Sequence, residues 1–307
     1  MIQLSSNITI PSDESLVISK GEKSMLDLNK YTIISENADT AIRVEEGGSL
    51  TMVNGKLDGT GAKTANGIYA IGAEAMLSNV DILGCSVGLY VSDDSGKALD
   101  SKVHLVSCTV EASGYGIVVK GNGSKSEHLT QVIVENCTIT SDSVGISGNG
   151  SDSNCGTDIQ IINSTITGKP DKVTTGVFHP QADSKLTVYN SEVSGYTGMI
   201  IKGGSVSVVD SKVSGLGAKQ APAFHNSGSA DTGDGIYIET NYGGDILLEI
   251  SGGSIITSDN SDSLQVYKSD ATNVTIRIYD GTFDEAQPDE YIDEGSVQNG
   301  TTITKKG

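Results

Sequence analysis

An eight-residue pattern recurs along most of the chain. LTVYNSEV, which begins at Leu186, is followed twenty positions later by VSVVDSKV, which begins at Val206. Nine copies align on one polar bend, with an average spacing of about 28 residues. They begin at Leu50, Ala75, Val103, Val132, Ile159, Leu186, Val206, Leu248 and Ile276. Because a unit this short cannot bury its own apolar face, the copies must stack, and the chain is predicted to form a solenoid.

Apolar and polar residues alternate within each copy. The first and third positions are apolar in every copy, as at Val132 and Val134, and the position between them is mostly polar, which is typical of a strand with one buried face. A second strand follows the bend and is opened by glycine at Gly67, Gly88, Gly116, Gly145, Gly176, Gly198 and Gly235. Two or three short strands in each turn predict an all-β fold. We expect a single-stranded right-handed parallel β-helix of about nine to eleven rungs with N- and C-terminal caps.

The bend itself carries polar residues at one repeated position. These are Asn54, Asn79, Ser107, Asn136, Asn163, Asn190 and Asp210. Amides stacked about 4.8 Å apart can hydrogen-bond to one another, so we predict an asparagine ladder. The next position is small and contains Cys108 and Cys137 one rung apart. We expect these to be two reduced thiols, with a disulfide as the alternative.

The pattern divides the chain into three parts. Residues 1–31 are predicted to be an N-terminal cap or the first turns, residues 32–283 the parallel β-helix, and residues 284–307 an acidic C-terminal cap or attachment segment. The variable segments mostly precede a new copy, so they should stack on one side of the rod. A longer insertion from Leu216 to Gly235 contains Phe224 and His225, which we take as candidate binding residues.

Composition excludes several functions. A net charge of −19 with only two arginines argues against nucleic-acid binding. The sequence has no apolar run long enough for membrane insertion, and its first residues do not resemble a signal peptide. The four cysteines and four histidines lack metal-ligand spacing. We therefore expect no metal and no other cofactor, and ordinary surface positions for the histidines.

Three phrases carry a family resemblance: TAIRVEEGGSLTMVNGKLDG, GVFHPQADSKLTVYNSEVSG and MIIKGGSVSVVDSKVSG. From about Ile8 to Phe283 the chain resembles the pectate-lyase-like right-handed β-helix superfamily. More narrowly, it resembles uncharacterised β-helix proteins of gut Firmicutes and their phages. The resemblance implies a β-helical fold and a protein displayed on a surface. It does not specify an activity, because one fold of this kind hosts many activities.

Enzymes of this superfamily degrade acidic polysaccharides, so catalytic residues were sought. Asp231 and Asp234, in DTGDGIYI, resemble in outline the acid and base of polygalacturonase-like hydrolases. The remaining motifs of that family do not occur here in the family's order. They are an adjacent Asp pair on the following turn, a Gly-His-Gly and an Arg-x-Lys. These two aspartates are therefore weak catalytic candidates.

Aromatic residues offer a candidate binding surface. Tyr69 and Tyr90 occupy the same outward position on neighbouring rungs, and that column later contains Phe178 and Tyr237. A line of exposed rings could stack against the sugar rings of a glycan. The alternative is cross-strand aromatic packing that only stabilises the sheet.

Three functional hypotheses follow. The first is a non-enzymatic β-helical structural or binding protein on a phage virion, as a capsid-decoration, fibre or tail-associated protein, with glycan as a candidate ligand. Its localisation would be the virion or an extracellular surface, and its partners other structural proteins there. The second is a bacterial surface adhesin or carbohydrate-binding module, and the third is a polysaccharide lyase or hydrolase. Both a monomer and a parallel homotrimer fit the sequence.

Overall fold

The computed structural model describes residues 1–92, 100–121, 129–148, 156–169, 172–222, 232–240, 244–267 and 273–307. These residues are almost entirely strands and bends, with a short 3₁₀ turn at Asp289–Tyr291. In chain order the strands are β1 (Ile2–Gln3), β2 (Ile8–Ile10), β3 (Leu16–Ile18), β4 (Lys23–Asp27), β5 (Thr32–Ser35), β6 (Thr40–Val44), β7 (Ser49–Asp58), β8 (Asn66–Ile71), β9 (Glu74–Ser92), β10 (Ser101–Val106), β11 (Thr109–Lys120), β12 (Thr130–Glu135), β13 (Thr138–Ser141), β14 (Val144–Gly148), β15 (Thr157–Ile162), β16 (Thr165–Gly168), β17 (Thr175–His179), β18 (Lys185–Tyr189), β19 (Glu192–Gly195), β20 (Thr197–Ile201), β21 (Gly204–Val209), β22 (Lys212–Gly215), β23 (Ile236–Glu239), β24 (Ile246–Ser251), β25 (Ile255–Ser258), β26 (Leu264–Tyr267), β27 (Val274–Ile278), β28 (Gly281–Phe283), β29 (Ser296–Asn299) and β30 (Thr302–Lys305).

Parallel pairing stacks these strands into the three faces of a β-solenoid. The first face contains β1, β4, β10, β12, β15, β18, β21, β24 and β27, with the N-terminal parts of β7 and β9. The second contains β2, β5, β13, β16, β19, β22, β25 and β28, with the end of β7, the middle of β9 and the start of β11. The third contains β3, β6, β8, β14, β17, β20, β23 and β26, with the ends of β9 and β11.

The stack comprises about nine regular turns, with a shorter turn at its N-terminal end and an incomplete one at its C-terminal end. This confirms the predicted all-β solenoid. Three bends connect the faces in each turn. The first bend leads from the first face to the second, the second bend from the second face to the third, and the third bend into the next turn.

The core consists of columns of inward side chains that run along the axis. The register places Leu186 opposite Val206 and Val188 opposite Val208 on the first face, and Val193 opposite Val213 on the second. All of these side chains are buried in one continuous hydrophobic cluster. Each buried side chain of this size contributes about 1.5–3 kcal/mol of transfer free energy, so the stacked columns are the main source of stability.

The first bend is held by two parallel ladders. Its outer residues adopt left-handed backbone conformations, with φ from 45° at Asn190 to 59° at Asn54. The predicted asparagine ladder is formed in two stretches. Asn54 Nδ2 donates to Asp27 Oδ1 over 3.2 Å and Asn79 Nδ2 to Asn54 Oδ1 over 3.4 Å, while Asn190 Nδ2 donates to Asn163 Oδ1 over 2.8 Å.

A second ladder lies just inside the first, at the small residue that follows the outer residue of each bend. The backbone N–H of each residue donates to the side chain of the residue in the next turn, at 3.0–3.3 Å, along Cys108, Cys137, Ser164, Ser191, Ser211 and Ser254. Each side chain in turn donates to a carbonyl two or three residues earlier in its own turn. Cys108 and Cys137 are free thiols within this ladder. The bend N–H groups, which are buried here, are therefore satisfied without water.

The second bend depends on the glycines that open the third-face strands. A Cβ atom built on Gly145 would lie 2.5 Å from the carbonyl oxygen of Gly176 and 2.5 Å from Ile166 Cγ2. The same close approach to the next turn recurs at 2.4–2.7 Å for Gly67, Gly88, Gly116, Gly176, Gly198 and Gly235. Since backbone and core atoms on both sides are fixed by the stack, only glycine fits this column.

Residues after β28 end the parallel stacking. β29 and β30 pair in antiparallel fashion, and β30 also pairs antiparallel with β28. Ile303 is buried beneath this hairpin. No helix in the described part of the chain is long and apolar enough to span a membrane.

Replacing Gly145 with alanine tests the glycine column. Because the new methyl group would overlap a fixed carbonyl oxygen and a core side chain, we expect the free energy of unfolding to fall by about 1–3 kcal/mol. Gly61→Ala is the matched control, since no heavy atom lies within 4 Å of its Cβ position. Urea unfolding followed by circular dichroism provides the comparison. Equal midpoints for the two variants would contradict the steric argument.

Candidate functional site

One row of outward side chains runs the length of the third face. The strand register aligns Val17, Arg43, Tyr69, Tyr90, Val118, Ser147, Phe178, Ile200, Tyr237 and Gln265. The four aromatic residues predicted to share a column therefore do share it. Its N-terminal and C-terminal parts differ in exposure, and this difference decides what each can bind.

The N-terminal part of the row presents an aromatic strip, which we define as Arg43, Tyr69 and Tyr90. The Tyr69 and Tyr90 rings meet edge to face, with centroids 4.9 Å apart and an interplanar angle of 62°. The guanidinium carbon of Arg43 lies 5.7 Å from the centroid of Tyr69, and 44 % of the Arg43 side chain is exposed. Both tyrosines are partly exposed. Edge-to-face and cation–π contacts fix the rings in place while leaving part of each surface open to solvent.

The C-terminal part of the row is buried. Phe178 is 5 % exposed and Tyr237 is fully buried, and they form a second hydrophobic cluster with Val144 and Ile200. The expected exposure of these two rings is therefore wrong. Ile200 lies between the two rings in the row, and with Val144 it packs against them to form a small second core. The continuous line of exposed rings is not formed.

A buried ion pair accompanies this second core. Lys202 Nζ lies 3.2 Å from Glu239 Oε1, both side chains are fully buried, and Lys202 Nζ is also 5.7 Å from the Phe178 centroid. Burial lowers the pKa of Lys202, and the charge of Glu239 opposes that shift. This pair was not predicted from the sequence. Lys202 follows Ile201 and Glu239 follows Ile238, and the two isoleucines pair in adjacent turns, so the shared position was the available signal.

Carboxyl groups meet at the second bend near the C-terminal end. Asp234 is fully buried, and its Oδ1 accepts hydrogen bonds from the Ser261 hydroxyl at 2.5 Å and from the Asp262 N–H at 3.2 Å. Within the described part of the chain, its Oδ2 has no hydrogen-bond partner. Burial raises the pKa of Asp234, while the hydrogen bonds from Ser261 and its neighbours oppose the shift. This environment favours a protonated carboxyl.

Asp262 is the partner of Asp234 on the next turn, and the two together are called the acidic pair. Asp262 is partly exposed, and both of its carboxylate oxygens lie 3.0 Å from Lys219 Nζ. Two neighbouring carboxyl groups in different environments, one buried and one paired with a lysine, can serve as general acid and general base. Asp231, Phe224 and His225 lie outside the described residues, so Asp234 is the predicted catalytic candidate that the structure locates.

His179 lies at the third bend and is fully buried, which corrects the expected surface position. Neither ring nitrogen has a hydrogen-bond partner among the residues that the structure describes. Burial lowers the pKa of His179 to about 4, and the nearby Ser184 backbone opposes that shift only in part. Among the described residues, no three His, Cys, Asp or Glu side chains are grouped so that they could hold a metal ion.

Comparison with known proteins identifies a structural likeness. No protein-family model and no curated protein matches the chain. A solved structure, the enzymatically active domain of tailspike protein 2 from bacteriophage CBA120, is similar with a TM-score of 0.60 at 14 % sequence identity. The match covers 94 % of this chain and 46 % of the tailspike chain. The chain therefore shares the β-helical fold of that tailspike domain and spans about half its length.

Acidification should destabilise the protein through His179. Because its folded pKa is about 4 and an unfolded histidine titrates near 6.5, the unfolded state takes up the proton first as pH falls. The stability contributed by neutral His179 is complete above pH 6.5 and is lost towards pH 4, by about 3 kcal/mol.

The measurement is urea unfolding at neutral and acidic pH. We expect His179→Gln to reduce the loss of stability between the two pH values, whereas His104→Gln, at a half-exposed position, should retain it. An unchanged pH dependence in His179→Gln would show that other groups cause the loss.

Proposed function

We propose that this chain is a β-helical part of a phage virion, associated with the tail, that contacts a glycan on the bacterial surface through the aromatic strip. The observation that supports it most is the fold likeness to a phage tailspike domain over 94 % of the chain. The resemblance to β-helix proteins of gut Firmicutes and their phages, stated above, favours a host of that group. The partners would be other structural proteins of the virion.

The aromatic strip supports the glycan part of the proposal. Sugar rings expose C–H faces that stack on aromatic rings, and the Tyr69 and Tyr90 rings are repeated 4.9 Å apart, along the axis of the solenoid. Arg43 adds hydrogen-bond donors for hydroxyl groups at one end of the strip. The row is buried further along, so the proposed contact is confined to the N-terminal turns. A capsid-decoration or fibre protein and a bacterial surface adhesin are alternatives that would use the same strip.

Removing one ring should weaken the glycan contact. We expect Tyr90→Ala to lower affinity for host surface polysaccharide roughly tenfold, because one stacking surface is lost. Tyr189→Ala is the control, since Tyr189 is 44 % exposed on the first face. Biolayer interferometry on immobilised polysaccharide gives the affinities, and mass spectrometry of purified virions tests for the protein. Its absence from virions would refute the location, and equal affinities for both variants would refute the role of the strip.

Polysaccharide hydrolysis is the second candidate function, and the acidic pair favours it. Glycosidases use a pair of carboxyl groups as acid and base, and burial raises the pKa of Asp234, which suits the acid, while Asp262 lies partly exposed beside Lys219. Among the described residues Asp234 Oδ2 has no hydrogen-bond partner, so it could donate a proton to a leaving group that reaches it. In this function Asp234 would act as general acid and Asp262 as base or nucleophile.

Amide substitutions separate catalysis from folding. Asp234→Asn and Asp262→Asn should each reduce release of oligosaccharides from the host polysaccharide roughly 100-fold or more. Asp234→Asn should leave thermal stability nearly unchanged, because the amide oxygen can accept the same hydrogen bonds from the Ser261 hydroxyl and the Asp262 N–H. Asp158→Asn, on the first face, is the control. If the unmodified protein releases reducing ends and both amide variants release them at the same rate, the acidic pair takes no part in the reaction.

A further inference from the structure

A groove of about 410 Å³ lies at the first bend near the N-terminal end, on a different side of the solenoid from the aromatic strip. It crosses three consecutive turns, at the ends of β4 and within β7 and β9. We call it the bend groove, and its polar lining residues are Asp27, Asn29, Lys30, Asn54, Lys56, Asn79 and Asp81. This volume falls within the range of small-ligand sites and suits one or two sugar units.

The N-terminal wall of the groove is a local departure from the repeat. In β7 and β9 a single left-handed residue makes the first bend, whereas the turn before them has two in succession, Asn29 with φ 50° and Lys30 with φ 70°. The wider bend projects beside the ladder. Gly55 makes room for it, because a Cβ atom there would lie 2.5 Å from both Leu28 Cβ and the Tyr31 carbonyl oxygen.

The floor of the groove is a directed chain of amides. Asn79 Nδ2 donates to Asn54 Oδ1, and Asn54 Nδ2 donates to Asp27 Oδ1, so both hydrogen bonds point the same way. Each amide group has two N–H donors and uses one of them in this chain. The second N–H groups and the Asn79 carbonyl oxygen make no other hydrogen bond within the described residues, so they are available to a ligand. Asn54 and Asn79 are exposed, so a ligand can reach them.

The charges of the groove balance. Asp27 accepts hydrogen bonds from the Asn29 N–H, Gln3 and Asn54, and these hold its pKa below the usual range. Lys56 Nζ lies 3.9 Å from Asp81 Oδ2. Two lysines and two aspartates leave no net charge, in a chain whose overall charge is −19. A strongly anionic ligand would gain little here, whereas a neutral one with several hydroxyl groups would find both donors and acceptors.

We propose that the bend groove is a binding site for a neutral saccharide of one or two units, held by the side-chain amides of Asn54 and Asn79 and by Lys56. Vicinal sugar hydroxyls present a donor and an acceptor close together, which matches an amide N–H beside a carbonyl oxygen. The amides of successive turns are about 4.8 Å apart, and this distance is close to the spacing between successive sugar units in a saccharide. The site is separate from the aromatic strip and does not depend on the function proposed for it.

The test uses the full chain labelled with ¹⁵N, titrated with maltose, cellobiose, lactose and glucuronic acid at millimolar concentrations. We expect at least one neutral disaccharide to shift the side-chain amide signals of Asn54 and Asn79, and glucuronic acid to bind no more tightly. Asn79→Gly should weaken that binding roughly tenfold, because glycine keeps the left-handed bend and removes only the amide.

Asn190→Gly is the matched control, since Asn190 occupies the same ladder position with φ 45° and lies outside the groove. Its affinity should equal that of the unmodified protein, and Tyr90→Ala should also bind normally. The proposal is overturned if no neutral sugar shifts the groove amides, or if Asn190→Gly weakens binding as much as Asn79→Gly. Loss of binding in Tyr90→Ala alone would assign the saccharide to the aromatic strip instead.

Discussion

Backbone hydrogen bonds between consecutive turns hold each turn directly above the one before it, and the rest of the structure depends on that register. Once Leu186 is opposite Val206, every inward side chain falls into a column and the core becomes continuous. The same register places bend amides over bend amides and small hydroxyl or thiol groups over one another. It also brings successive second bends so close that only glycine fits between them. The ladders and the glycine column are consequences of the stacking, and they in turn resist any slip in register.

The register also aligns the surface side chains in rows, but their exposure changes along the axis. A row of outward side chains is solvent-facing at Arg43, Tyr69 and Tyr90 and becomes a second small core at Phe178 and Tyr237. The bend ladder is regular at Asn163 and Asn190 and opens into a groove where the bend is widened by Asn29 and Lys30. Both proposed binding sites thus lie where the repeat is interrupted or exposed. The regular turns act as a rigid support for those places.

Buried polar groups are concentrated in the C-terminal half of the solenoid. Lys202 and Glu239 compensate each other, whereas His179 and Asp234 are each shifted toward the neutral form by burial. Neutral groups of this kind cost less to bury than charged ones, so they are compatible with a stable fold at neutral pH. Asp234 differs from His179 because a second carboxyl group, that of Asp262, stands beside it on the next turn. That difference makes the acidic pair, and not the histidine, the candidate for chemistry.

Sequence alone determined the solenoid, the two inward columns, the position of the bends and the alignment of Tyr69, Tyr90, Phe178 and Tyr237. These features are local or periodic: alternation with period two, left-handed asparagines and sterically required glycines can all be recognised without knowing what packs where. Tertiary structure alone decided which outward residues are covered, so the exposure of Phe178 and Tyr237 and the surface position of His179 were predicted wrongly. It also decided the opposite environments of Asp234 and Asp262 and the widened bend beside Gly55. Burial of an outward side chain depends on the particular residues that lie against it, and those contacts have no period that a sequence pattern could reveal.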